Sequence, residues 1–212
     1  MSKALVVLGL ASMIGFFVGL NSDNLNLRLL TKPIPILILL FFVRSWSRES
    51  YASLIAIGLG FSLAGDMLLE LDMFIPGIGA FLVAQVCYFW AFFVDYRMLK
   101  PLRAIPFVVY CSGIYICILP NLTANLRVPV GAYILVLCAM LWRAYARSDE
   151  RGRSGQLGVL GAVVFAISDT CIAINKFVGP FSGAREIIIG TYWLGQLGIA
   201  LSVLPKRQKK KE

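Results

Sequence analysis

Residues 51–69 read YASLIAIGLGFSLAGDMLL, nineteen residues with a single charged side chain, Asp66. At a rise of about 1.5 Å per residue, a helix of this length crosses a hydrocarbon core of roughly 30 Å. The run is continuously apolar rather than alternating, so it does not read as a strand of a membrane barrel. Similar runs cover Lys3–Leu20, Leu29–Val43, Met73–Val94, Leu102–Leu119, Pro129–Tyr145, Gly155–Asn175 and Glu186–Leu204, separated by short polar or charged clusters. Together they predict an all-α polytopic membrane helix bundle of about eight transmembrane helices, forming one domain over residues 1–212. In the second run Pro33 and Pro35 suit a first helical turn. The first run lacks a small-x-small cleavage site before Asn21 and reads as a retained helix.

Composition supports this class. Of the 212 residues, 59% are hydrophobic and only 15% charged, and the mean hydropathy is +0.81. A soluble domain carries about 25% charged residues. The net charge of +9 does not point to nucleic acid, because the basic residues are sorted by side. With eight helices, Arg28, Lys32, Arg127, Lys176 and Arg185 fall on one side and the remaining Lys and Arg fall with the termini. That excess predicts cytosolic N- and C-termini, helped by attraction to anionic lipid headgroups. Lys209 and Lys210, fourth and third from the end, resemble a dilysine retrieval signal of endoplasmic-reticulum membrane proteins, although a plain basic cluster reads equally well. Asn121-Leu122-Thr123 is a glycosylation sequon close to a helix end.

The inventory excludes some chemistry. There is no histidine, and Cys87, Cys111, Cys117, Cys138 and Cys171 all lie inside apolar runs without a CxxC pair. Zinc sites and Ser-His or Cys-His catalysis are therefore not expected. No metal or cofactor is implied, and the cysteines read as small buried apolar residues.

The two halves are weakly alike. Ser62-Leu63-Ala64-Gly65-Asp66 in the third run matches Phe165-Ala166-Ile167-Ser168-Asp169 in the seventh, and Gln85 and Gln196 each follow about one helix later. This suggests two four-helix parallel repeats. Small residues at four-residue spacing, Gly158, Ala162 and Ala166, and likewise Gly60 and Ala64, mark faces for close helix contact.

An ionisable group in the bilayer centre costs at least ~2.5–3.5 kcal/mol and so has a partner or a task. Lys32, Asp66, Asp169, Gln85, Tyr192 and Gln196 are the candidates. From the helix directions, Asp66 lies roughly 5 Å and Asp169 roughly 9 Å inside the end opposite the termini. Lys32 falls at that entrance, Tyr192 within two turns of it and the glutamines nearer the midplane, so all six can line one cavity. Glu70, four residues after Asp66, can face the same entrance or be solvated, and Lys176 stands similarly to Asp169. Low dielectric favours a protonated carboxyl and a nearby ammonium an ionised one, so two aspartates with one lysine can divide into proton donor and base. The aromatic cluster of Tyr88, Phe89, Trp90, Phe92 and Phe93 reads as lipid- and helix-facing bulk or as one wall of an acyl-chain pocket.

Taken in order and spacing, Thr31-Lys32-Pro33-Ile34-Pro35, Ala64-Gly65-Asp66, the segment Gly79–Gln85 with Tyr88, Ile167-Ser168-Asp169, and Tyr192 with Gln196 resemble the lysoplasmalogenase-like (YhhN-type) membrane protein family. The resemblance covers nearly the whole chain. It implies hydrolysis of the vinyl-ether bond of a lysophospholipid to a fatty aldehyde and glycerophosphoethanolamine or glycerophosphocholine. It implies Lys32, Asp66 and Asp169 as candidate active-site residues, supported by Tyr192 and Gln196. Many members carry a histidine where this chain has Gln85, so a neutral amide replaces a titrating group. The chemistry suits the inventory, since alkene protonation and water addition need a proton donor and a carboxylate but no metal or nucleotide. The competing readings are a small membrane transporter or scramblase and a non-catalytic, lipid-binding family member. All three imply membrane lipids as partners, and none implies nucleic acid.

Overall fold

An apolar run in lipid becomes a helix because only there does one segment close its own backbone hydrogen bonds. A computed structural model of the chain describes residues 2–46 and 49–204. Among these residues the regular structure is entirely helical: α1 (Lys3–Asn21), α2 (Leu25–Thr31), α3 (Ile34–Trp46), α4 (Ser50–Glu70), α5 (Phe74–Asp95), α6 (Ile105–Ile118), α7 (Ala124–Arg147), α8 (Arg153–Ala173) and α9 (Ala184–Leu201). The dilysine tail lies outside the described residues, as does Arg48.

Successive segments run antiparallel. Gly9 lies by Ile38 and Gly19 by Arg28, Gly58 by Tyr88 and Gly65 by Gly77, and Gly161 by Gly198. Tyr115 meets Arg127 and Phe107 meets Tyr145 across α6 and α7. The ends of α1 and α9 nearest the termini therefore share one end of the bundle. The outer sides of α1, α6 and α7 expose Val7, Ile14, Ile105, Val109, Val128 and Leu135, while Arg143, Gln85 and Gln196 are buried. Large apolar groups outside and polar groups inside mark an integral, multi-pass membrane protein.

Among the described residues seven segments are long and apolar enough to cross a membrane. The eighth expected span, α9, has 18 residues. It falls short on apolarity because Arg185, Glu186, Tyr192 and Gln196 dilute it. Within the bundle its polar residues face helices rather than lipid, since Tyr192, Trp193 and Gln196 are buried, whereas Arg185 and Glu186 are exposed at its start. The second span is longer than the expected 29–43 and is broken. Asn24 accepts the Leu27 N–H at 3.0 Å and starts a short helix that ends at Thr31. Pro33 and Pro35 then supply no donors where the ladder would continue, and α3 begins after the break. Lys32 sits at that break.

The two closest helix contacts are α4 with α5 and α8 with α9. A Cβ on Gly161 would lie 2.5 Å from the Ile199 nitrogen and 2.7 Å from the Gly195 oxygen. A Cβ on Gly65 would meet the Phe81 ring at 2.8 Å and the Gly77 oxygen at 3.0 Å. The face of α4 that packs is thus the one bearing Gly58, Ser62 and Gly65, whereas Ala64 is exposed and Gly60 only half-buried. Small residues at four-residue spacing occur on both faces, so spacing alone selected the wrong one. On α8 the expected residues Gly158, Ala162 and Ala166 are buried.

The basic residues near the termini do more than set orientation. Arg143 and Arg147 are fully buried. Arg143 donates to the Met98 carbonyl at 2.9 Å, and Arg147 pairs with Asp95 at 2.8 Å while its guanidinium lies 4.8 Å over Tyr51. These contacts tie the end of α7 to α5 and α4. All five cysteines are free thiols.

Because only backbone opposes Gly161, Gly161→Val must push α8 and α9 apart, a strain of about 1–3 kcal/mol or more. The expected result is a lowered thermal unfolding midpoint in detergent. Gly79→Ala, with nothing within 4 Å, should cause no loss.

Candidate active site

The break at Lys32 aims its side chain between two carboxylates from the end of α4. The ammonium lies 3.0 Å from Asp66 Oδ1 and 2.8 Å from Glu70 Oε2, and it also donates to the Asp66 carbonyl at 3.3 Å. Arg28, one turn earlier, donates to Glu70 Oε1 at 2.7 Å and to Asp23 Oδ1 at 3.1 Å. The Lys32 and Asp66 side chains are each 8% exposed and that of Glu70 is 12%, so Glu70 is enclosed rather than solvated. Asp66 Oδ2 is buried and has no partner among the described residues.

Asp169 has a different setting. Its Oδ2 accepts from Gln85 Nε2 at 2.8 Å and from the Tyr133 hydroxyl at 2.7 Å. Both donors are neutral, and no cation pairs with Asp169 among the described residues. Ser168, beside it, donates to the Ile188 carbonyl at 2.8 Å and holds α8 against α9 at this depth. Tyr192 is 2% exposed, its hydroxyl has no partner among the described residues, and it lines the same cavity as Asp66 and Asp169. Its ring packs edge-on to Phe81, with centroids 5.8 Å apart.

Lys32, Asp66, Asp169 and Tyr192 all line one cavity of about 440 Å³. It opens at the end of the bundle opposite the termini, and its mouth carries Arg28, Glu70, Asp72, Lys176 and Arg185. Gln85 and Gln196 do not line it. Gln85 stands behind Asp169 as a donor. Gln196 lies deeper, accepting from the Tyr88 hydroxyl at 2.7 Å and donating to Ser62 at 3.0 Å. A second, apolar slot of about 50 Å³ lies between α5, α6, α7 and α8, lined by Phe74, Ile118, Val130, Ile134 and Phe177 among others. Asp169 borders both spaces, as do Leu69, Phe74, Phe81 and Ile172. A carboxyl thus stands where a polar chamber meets an apolar one.

Tyr133 is the site residue that sequence reasoning passed over. A tyrosine in the apolar run of α7 gives no signal of its own, and its partner is 36 positions away. Tyr88 read as aromatic bulk, but it is fully buried and joined to Ser62 and Gln196. Trp90, two residues on, does face outward.

Comparison with known proteins adds what geometry alone does not. The chain is 33% identical over 199 residues to the lysoplasmalogenase TMEM86B of Homo sapiens, covering 92% of this chain and 84% of that protein. It is 34% identical over 167 residues to the lysoplasmalogenase TMEM86A of Bos taurus, covering 74% and 68%. A lysoplasmalogenase of Mycobacterium bovis matches at 32% over 143 residues, 62% of this chain and 52% of that protein. No solved structure matches. The model of the YhhN family matches residues 27–203, from the turn that carries Arg28 to the end of α9. With that match covering most of the chain, including Lys32, Asp66, Asp169 and Tyr192, the chain belongs to the YhhN family.

Proposed function

We propose that this chain is a membrane hydrolase that cleaves the vinyl-ether bond of a lysoplasmalogen, with Asp169 and Asp66 as the catalytic pair. The observation that carries this reading is the contrast between two buried carboxyls on one cavity, one locked to an ammonium and one held only by neutral donors. The relatives named lysoplasmalogenase supply the reaction class.

The chemistry rests on that contrast. Asp66 keeps its charge beside Lys32, whereas an ionised Asp169 would have no counter-cation. Asp169 is therefore assigned as the proton donor. Its proton goes to the alkene carbon distal to the ether oxygen, and an oxocarbenium ion forms at the other. The Asp66 carboxylate stabilises that cation and accepts a proton from the attacking water. The hemiacetal then collapses to a fatty aldehyde and the free glycerol hydroxyl of glycerophosphoethanolamine or glycerophosphocholine, one water being consumed. Tyr192 lies near both carboxyls, placed to donate to the departing oxygen. Gln85 serves as a fixed donor to Asp169. No cofactor enters this scheme. The vinyl ether lies beside Asp169, where the polar chamber that takes the headgroup meets the apolar slot; at about 50 Å³ that slot takes only the first carbons of the alkenyl chain.

Lys32 sets the charge balance, since its ammonium is already shared by two carboxylates. The excess of Lys and Arg at the terminal end of the bundle supports cytosolic termini with the cavity mouth on the opposite side, in the endoplasmic-reticulum membrane if the basic tail acts as a retrieval signal.

Purified protein in detergent should release fatty aldehyde from a 1-alkenyl lysophospholipid. Asp66→Asn and Asp169→Asn should each lower kcat by about 10²–10⁴-fold while remaining folded. Full activity in both variants would sink the assignment. Gradient-driven flux in proteoliposomes without aldehyde would favour transport, and tight lipid binding without turnover would favour a binding protein. A separate measurement addresses Lys32. Lys32→Met leaves the buried Asp66 without a cation, Glu70 keeping Arg28, and should cost about 3–5 kcal/mol of stability. Adding Glu70→Gln should recover part of that loss, and strict additivity in the double-mutant cycle would show that the two side chains are not coupled.

A further inference from the structure

The cavity mouth is divided by charge. On the α4–α5 side stand Glu70 and Asp72, the latter in a left-handed turn with φ 58°. On the α8–α9 side stand Lys176 and Arg185, both exposed. Arg28 and Lys32 lie deeper, and every carboxylate near them is engaged: Arg28 with Glu70 and Asp23, Lys32 with Asp66 and Glu70. Lys176 and Arg185 have no carboxylate within ion-pair distance among the described residues. They are the cations at this mouth whose charge is not already answered.

Local backbone structure places them there. After Ala173 the helix widens into a π turn, Ile174–Val178, closed by the Gly179 N–H donating to the Ile174 carbonyl at 3.0 Å. One extra residue in a turn rotates the downstream backbone by about 100° relative to a continuous α-helix. The Lys176 ammonium then lies 5.1 Å from the centre of the Phe74 ring, at the edge of the cavity. Asn175 Oδ1 accepts the Phe181 N–H at 3.4 Å, tying the loop that leads to Arg185 back to this turn. Seven residues of helix, about 10 Å of rise, separate Lys176 from Asp169. That is the scale of the glycerol unit between a vinyl ether and a phosphate. Two buried groups beside the chamber, Asp66 Oδ2 and the Tyr192 hydroxyl, lack partners among the described residues.

We propose that Lys176 and Arg185 form the phosphate clamp of this cavity, gripping the glycerophosphate of the lysophospholipid and leaving Asp72 across the mouth to face its headgroup ammonium. The proposal rests on the reading of the cavity as a lysophospholipid site and adds where the phosphate is held. Lys32 is removed from that role by its two ion pairs.

The test uses two pairs of ligands. Aldehyde release is measured with a 1-alkenyl-glycerophosphoethanolamine and with the matching 1-alkenylglycerol, which lacks phosphate. Binding is measured with the saturated 1-alkyl counterparts, which cannot be hydrolysed. Lys176→Gln and Arg185→Gln should each raise KM, and weaken binding, by about tenfold for the phosphate-bearing ligand. Values for the phosphate-free ligand should change less than about twofold. Arg127→Gln removes an exposed cation on the same side but away from the cavity and should leave all values unchanged. Equal effects on both ligands, or an equal effect of Arg127→Gln, would overturn the clamp in favour of general folding or surface attraction. If the wild type releases no aldehyde, the hydrolase reading fails by itself. The binding of the saturated ligands still decides the clamp, for it if the variants lose only the phosphate-bearing ligand and against it if they lose neither or both.

Discussion

The ammonium of Lys32, shared between Asp66 and Glu70, is the interaction on which the cavity depends. A lone charge at this depth would be costly, and each of the three groups is tolerable only because the others are present. The arrangement needs the helix break at Pro33, which turns the Lys32 side chain toward the end of α4. It also needs the two carboxylates one turn apart on α4, so that both reach one nitrogen. Arg28 continues the chain of charge outward to the exposed Asp23. The result is a rigid, ionised wall on one side of the chamber that leaves a single carboxylate oxygen unpartnered among the described residues.

The opposite wall is built from neutral groups. Gln85 and Tyr133 converge on one oxygen of Asp169, and Ser62, Tyr88 and Gln196 close a second hydrogen-bonded set beneath the cavity. Such sets are worthwhile in a bundle interior only when nearly every member is satisfied. They depend in turn on close backbone approach, which glycines at 58, 65, 161, 195 and 198 permit. The floor of the site and the tight helix contacts are therefore one construction. At the far end, the buried Arg143 and Arg147 lock α7 to α5, so the wall bearing Tyr133 is anchored at its other extremity.

Two hairpins, α4–α5 and α8–α9, each present an aspartate after a small residue near the same end of the bundle. Their environments have diverged: α4 faces the broken span and its cations, whereas α8 faces α5 and α7 and their neutral donors. Matched local sequence thus gives two carboxyls with different electrostatic surroundings, the condition under which one can act as acid and the other as base.

Sequence alone determined the membrane class, the number and limits of most apolar segments, and the few ionisable residues inside them. These are one-body properties: a run of apolar residues is legible without knowing its neighbours, and an Asp or Lys within it stands out because of its cost in hydrocarbon. Helix direction and spacing also set Lys32, Asp66, Asp169 and Tyr192 at a common end. The partners were decided only by the tertiary structure. Tyr133 on Asp169, Glu70 in the Lys32 network, Tyr88 with Gln196 and the burial of Arg143 all join residues from separate helices, and no local pattern encodes such pairs. The packing face of α4 was misassigned for the same reason, since small residues line two of its faces and only the ring of Phe81 and the backbone of Gly77 select between them.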